Sequence, residues 1–198
     1  MPEIKAVIFD AGGVLQKTSG RHFLSTVRKR FGFKPKGNRM TSTAFNNEMN
    51  LGQISVRQML KKMYPAASGK QLHAMLAQWE KEWPTDWKMI GLAKKLSRRY
   101  TVSILSNSDP VHEKRVREEG VLALFETPVL SHKVGLIKPD KKIFILALKR
   151  LGLKAPECVF IDDTKINTVA AKKLGFKVIN FKNRQQCERE LKNLGAKI

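Results

Sequence analysis

The chain has 198 residues, 42% of them hydrophobic, which supports a real core but falls short of two large domains. Its 38 Lys and Arg against 17 Asp and Glu give a formal charge of +21, enough to attract phosphates, nucleic acid or acidic surfaces at long range. No apolar run approaches membrane-spanning length and no basic-then-apolar leader opens the sequence, so the expectation is a soluble, cytoplasmic protein without membrane contact.

In chain order, Lys5-Ala6-Val7-Ile8-Phe9 is a β-branched and aromatic run that ends on Asp10 and turns at Gly12-Gly13. It reads as a buried strand with a carboxylate at its C-terminal end, where ligands bind in an open parallel sheet. Phe23, Leu24, Val27 and Phe31 then recur at helical spacing before Gly32. After a basic loop from Lys34, Ser55-Val56-Arg57-Gln58 and Ser68-Gly69-Lys70-Gln71 have the form of capping boxes, each opening a helix with one apolar stripe. No strand alternation occurs from Arg21 to Trp83, which predicts a small helical bundle placed after the first strand. Its Met and Trp stripes read as that bundle's own core.

Past Pro84 helices and strands alternate. A helix through Met89 to Leu96 precedes the strand Thr101–Leu105, which runs out into Ser106-Asn107-Ser108-Asp109-Pro110, a turn cluster. A charged helix over 111–119, a short strand at Pro128–Ser131 and a loop reaching Lys138-Pro139-Asp140 follow. The helix from Lys142 to Leu151 ends at Gly152. Cys158–Ile161 is a strand ending on Asp162-Asp163; Ile166, Val169, Ala170 and Leu174 line the next helix; Lys177–Phe181 is the fifth strand, before a polar tail helix. Strands separated by helices imply a parallel sheet covered on both faces. The two cysteines, Cys158 and Cys187, suit a reducing compartment. The basic residues are scattered and mostly not interleaved with aromatics, the pattern of a solvated surface rather than a nucleic-acid groove.

Three strands end on chemically useful groups: Asp10, Ser106-Asn107, and Asp162-Asp163. Each has a plain structural alternative as a turn or helix cap, as does Lys138 as a helix-start charge. If these strands are neighbours, one pocket gathers three carboxylates, a hydroxyl, an amide and an ammonium, and hard oxygen ligands of this kind select Mg²⁺.

The segments Val7–Leu15, Ile104–Asn107, Gly135–Phe144 and Phe160–Asn167, with Ala170–Gly175, resemble in order the four motifs of the haloacid dehalogenase-like (HAD) hydrolase superfamily with a helical cap of the first type. The resemblance implies an α/β fold: a Rossmann-like core over 1–15 and 85–198 with a five-stranded parallel sheet of order 5-4-1-2-3 flanked by helices, and an all-helical cap domain over 16–84. It implies Asp10 as nucleophile, forming an aspartyl-phosphate, with Ser106, Asn107 and Lys138 binding the phosphoryl group. Mg²⁺ would be held by Asp10, Asp163, the carbonyl of Gly12, and Asp162 directly or through a water. The family's phosphatases commonly carry a second Asp two residues after the nucleophile as general acid and base; here Gly12 stands there, which weakens acid–base help to poor leaving groups. His22, in the loop leading into the cap, is the nearest titratable substitute.

The leading expectation is a Mg²⁺-dependent phosphatase of a small phosphorylated metabolite, monomeric or dimeric. A 2-haloacid dehalogenase using Asp10 is the alternative enzyme, and an attenuated member binding RNA or an acidic partner through its basic surface is the non-enzymatic one.

Overall fold

The computed structural model describes residues 2–17, 20–36 and 39–198, with the side chains of 20–22 and 39–43 left aside. Five parallel strands, β1 (Ala6–Phe9), β2 (Thr101–Ser106), β3 (Val129–Leu130), β4 (Cys158–Asp162) and β5 (Lys177–Asn180), form one sheet in the order β3-β2-β1-β4-β5. This is the expected order seen from the other edge. β1 is central and fully buried, with Phe9 in register with Ile104 of β2 and Ile161 of β4. Asp10, one residue on, therefore stands level with Leu105 and Asp162.

Ten helices, α1 (Gly20–Phe31), α2 (Arg39–Asn50), α3 (Val56–Met63), α4 (Gly69–Lys81), α5 (Trp87–Leu96), α6 (Pro110–Glu118), α7 (Ser131–Val134), α8 (Lys141–Leu151), α9 (Lys165–Lys173) and α10 (Arg184–Asn193), complete the described residues with two short 3₁₀ turns. None is long and apolar enough to cross a membrane. The two faces of the sheet are buried separately. Val7, Phe9, Ile104 and Ile161 pack with Met89, Leu92 and Leu191 on one face; Ile8, Leu105 and Phe160 pack with Phe144, Ala147 and Phe176 on the other.

Helices α1 to α4 form a third core around Phe23, Val27, Met59, Leu60, Met75 and Trp79. Both predicted capping boxes close, Ser55 with Gln58 and Ser68 with Gln71, fixing where α3 and α4 begin. The chain leaves and re-enters the sheet region through two antiparallel segments: the Lys17 N–H donates to the Pro84 carbonyl at 2.9 Å and the Asp86 N–H to the Leu15 carbonyl at 2.8 Å.

Two elements differ from expectation. The pattern marked no helix between the basic loop and Ser55, yet α2 is there; its Thr, Ser and Asn residues are weak helix formers, and buried Met49 ties it to the third core. On α9 only part of the expected apolar stripe faces inward: Ala170 and Leu174 pack against the sheet, but Ile166 and Val169 are 63% and 43% exposed, while Asn167 and Thr168 are buried.

Candidate active site

The site is built at the C-terminal tips of the three central strands. Asp10 follows β1 and is pinned by its own N–H to the Ile161 carbonyl at 2.8 Å. The chain then makes a tight turn, with the Leu15 and Gln16 N–H groups both donating to the Ala11 carbonyl and the Gly13 N–H to the Gln16 carbonyl. None of these bonds uses the Gly12 carbonyl. Gly13 has φ +80°, and a Cβ on it would lie 2.2 Å from Asp163 Oδ2, so two independent constraints exclude a side chain there.

Asp10, Asp162 and Asp163 each present an oxygen within 4.8 Å of the others. Lys138, 3% exposed, reaches between the first two: Nζ is 2.8 Å from Asp10 Oδ1 and 2.6 Å from Asp162 Oδ2, above the ring of Phe160. The Asp10 Oδ1 also accepts the Ala11 N–H at 2.8 Å. Asp162 is fully buried and saturated, accepting the Thr164 N–H at 2.7 Å and the Asn167 amide on both oxygens at 3.2 and 3.0 Å. Asp163 is exposed and bonded through Oδ1 to the Thr164 hydroxyl at 3.1 Å.

These positions set the electrostatics. Burial pushes the Asp10 carboxyl up to about 7; Lys138 pulls it back and Asp162 adds to the rise. Burial and Asp162 likewise raise Asp163. Burial opposes the Lys138 charge, but Asp10 and then Asp162 outweigh it and hold the ammonium above the usual lysine range. When ionised, three carboxylates and one ammonium leave two negative charges in excess. A divalent cation with oxygen preference fits that donor set.

The other predicted residues take distinct places. Ser106 ends β2, 1% exposed, and borders the same cavity as Gly12. Asn107 is engaged elsewhere: its Oδ1 accepts the Lys138 N–H at 2.8 Å and its Nδ2 donates to the Lys138 carbonyl at 3.0 Å. The carboxamide thus clamps the loop that carries the lysine, with the second hydrogen of Nδ2 uncommitted among the described residues. The backbone of His22 lies in α1, and its side chain falls outside the described residues.

The sequence reading assigned no role to Asn167 and saw Asp109 only in a turn cluster. Asn167 explains the rotation of α9, since only that face brings its amide to Asp162. Asp109 caps α6 and binds His112, Oδ2 to Nδ1 at 2.5 Å; His112 Nε2 lies 3.3 Å from the Trp79 carbonyl and its ring packs on Trp79 and Trp83. Burial opposes Asp109 ionisation, but the His112 contact holds the carboxyl below its usual range. The Asp-x-x-His spacing on a helix start was a signal for this pair. Asp109 and His112 share a cavity of about 180 Å³ with Gly12, Ser106 and residues of α2 and α4.

Comparison with known proteins bears on the family and the fold. The family model of haloacid dehalogenase-like hydrolases matches residues 4–175. A solved HAD family enzyme of Bacteroides thetaiotaomicron, in complex with magnesium and inorganic phosphate, superposes with a TM-score of 0.74 at 26% identity, over 90% of this chain and 94% of that one. Among curated proteins, drimenol cyclase drtB of Aspergillus calidoustus is 25% identical over 96% of this chain and 36% of its own length. The glyceraldehyde 3-phosphate phosphatase of Methanopyrus kandleri is 43% identical over 51 residues, 26% of this chain and 22% of that protein. The chain spans about a third or less of the length of these curated relatives.

Proposed function

From a chain that belongs to the haloacid dehalogenase-like hydrolases, we propose a Mg²⁺-dependent phosphatase of a small phosphomonoester that works through Asp10. The observation that carries this reading is the Lys138 ammonium seated between Asp10 and Asp162 with Asp163 alongside, a cluster two negative charges in excess. Printed names of relatives support the reaction class: the phosphatase of M. kandleri, a putative phosphatase of Bacillus subtilis and a flavin mononucleotide hydrolase of Arabidopsis thaliana.

The residues divide the work. Both contacts to Asp10 fall on Oδ1, so Oδ2 is the oxygen assigned to attack phosphorus. Lys138 orients that carboxylate and meets charge on the transferring phosphoryl group, with the Ser106 hydroxyl as a further donor. Asp163, with one oxygen uncommitted, and the Gly12 carbonyl are the direct metal ligands together with Asp10. Asp162, saturated by Lys138, Thr164 and Asn167, positions the lysine and acts on the metal through a water. Bound there, Mg²⁺ would supply positive charge that keeps Asp10 ionised and offsets the phosphoryl oxygens. Helices α1 to α4 are the cap of this site.

The same charge excess disfavours a dehalogenase that works without a metal, because the unneutralised cluster would repel a haloacid carboxylate, whereas Mg²⁺ would offset it for a phosphoryl group. The test is p-nitrophenyl phosphate turnover with Mg²⁺, with chelator, and in Asp10→Asn. Loss in both controls is expected; turnover that survives them, or halide release without Mg²⁺, refutes the reading.

A further inference from the structure

The cavity between the sheet tips and the helical layer carries information about the leaving group. In a chain of net charge +21, no Lys or Arg lines it among the described residues. The Asp109 carboxylate on its wall is 2% exposed and committed to His112, whose Nδ1 lies 2.5 Å from Oδ2. Two donors on its wall, Gln16 Nε2 and Trp83 Nε1, are buried and have no hydrogen-bond partner among the described residues. Gln16 is 5% exposed, so its free amide is cut off from bulk water. A buried donor without an acceptor is an uncompensated desolvation that a ligand oxygen would relieve. Around these donors stand Trp79 and Trp83, ring centroids 6.1 Å apart, with Met49 and the neutral amides of Asn46 and Asn50.

Resting on the phosphatase reading, we infer that this cavity receives the non-phosphate part of the substrate, and that this part is an uncharged single ring bearing carbonyl-type acceptors: an aryl or heteroaryl phosphomonoester. Three features converge. Aromatic walls favour a planar apolar group. The unpartnered N–H groups favour acceptors on its edge, and a lining without Lys or Arg among the described residues offers no counter-ion to a second phosphate or a carboxylate. A volume of about 180 Å³ admits one substituted ring, since a cavity of about 150 Å³ holds benzene. Independently, Gly12 leaves no acid at the position two after Asp10, so phenol-like leaving groups that depart as anions are the ones the site can release.

The test is kcat/KM of the full chain with Mg²⁺ on phenyl phosphate, 4-acetylphenyl phosphate, phosphoglycolate and a sugar bisphosphate, repeated in Trp83→Phe and Gln16→Met. Both aryl esters should exceed the two anionic-tailed esters by at least about tenfold. The ratio of 4-acetylphenyl to phenyl phosphate should fall about three- to tenfold in at least one variant, the worth of one neutral hydrogen bond; because it is a ratio within each protein, it cancels leaving-group acidity and partial loss of folded protein. Equal or better turnover of phosphoglycolate or the bisphosphate overturns the inference and leaves the phosphatase reading standing, and a ratio unchanged in both variants overturns the role of the donors. No turnover of any ester overturns the phosphatase reading and the inference with it.

Discussion

Gly13→Ala tests the geometry of the site most directly, because Gly32→Ala serves as its control. Both positions have left-handed backbone, φ +80° and +72°, so each alanine costs about 1–2 kcal/mol of backbone strain. At Gly32 nothing lies within 4 Å of the new Cβ, whereas at Gly13 the Asp163 Oδ2 lies at 2.2 Å. Ordinary contact begins at 3.4 Å, so the Asp163 carboxylate must retreat by about 1.2 Å (3.4 − 2.2). Metal–ligand distances hold within about 0.2 Å, and Mg²⁺ demands near-ideal octahedral geometry. The displacement is several times that tolerance. Strain alone lowers Tm by roughly 2–8 °C in either variant, at about 2–4 °C per kcal/mol for a chain of this size. The Mg²⁺-dependent rise in Tm, read by thermal unfolding across a MgCl₂ titration, should persist in Gly32→Ala. In Gly13→Ala the apparent affinity should drop at least about tenfold, with turnover falling in step. If Gly13→Ala keeps the magnesium response and activity of Gly32→Ala, Asp163 is not the ligand and the assignment fails.

Gly12→Asp should raise kcat/KM on alkyl phosphates by roughly 10²-fold or more and on aryl phosphates far less, since restored acid help matters only for poor leaving groups; equal gains on both classes would show that proton transfer was not what the site lacked. In metal-free protein, Asp10 titrates near 7 when folded against an ordinary 3.8, so the folded state holds its proton more tightly and loses stability as pH rises from about 4 to 7. That gap corresponds to at most about 4 kcal/mol. Asp10→Asn with chelator should therefore gain on the native chain between pH 5 and pH 8 in denaturant unfolding, and a difference constant with pH would contradict the buried, raised carboxyl. His112→Ala removes a ring packed against Trp79 and Trp83 and leaves the buried Asp109 without its nearest partner, a loss of roughly 2–4 kcal/mol. Thermal unfolding should show a Tm lower by about 5–15 °C; a shift under 2 °C would mean the helical layer does not depend on that contact.

Several elements were legible because their signals are local. The run Ala6–Phe9, the two Ser-x-x-Gln boxes and Gly152 as a left-handed cap each state their conformation within a few residues, and each is found where expected. The spacing of Asp10, Lys138 and Asp162 was readable too, since each follows or precedes a strong element. What escaped was set by partners distant in sequence. α2 has weak intrinsic propensity and is helical because Met49 and its neighbours pack on α3. Asn107 also holds the backbone of a lysine 31 residues away through both its Oδ1 and its Nδ2, a role its place beside Ser106 does not announce.

α9 shows why the apolar pattern misled there. Hydrophobic periodicity identifies a helix's inner face on the premise that burial is worth more to Ile and Val than to Asn. Here the alternative orientation, with Ile166 and Val169 inward, would withdraw the Asn167 amide from Asp162 and leave a fully buried carboxylate facing Lys138 with fewer donors. Losing donors to a buried charge costs more per contact than burying one aliphatic side chain gains. The helix therefore turns its polar residues to the site, and two exposed aliphatic residues on an otherwise regular helix mark the opposite face as the one facing a buried charge.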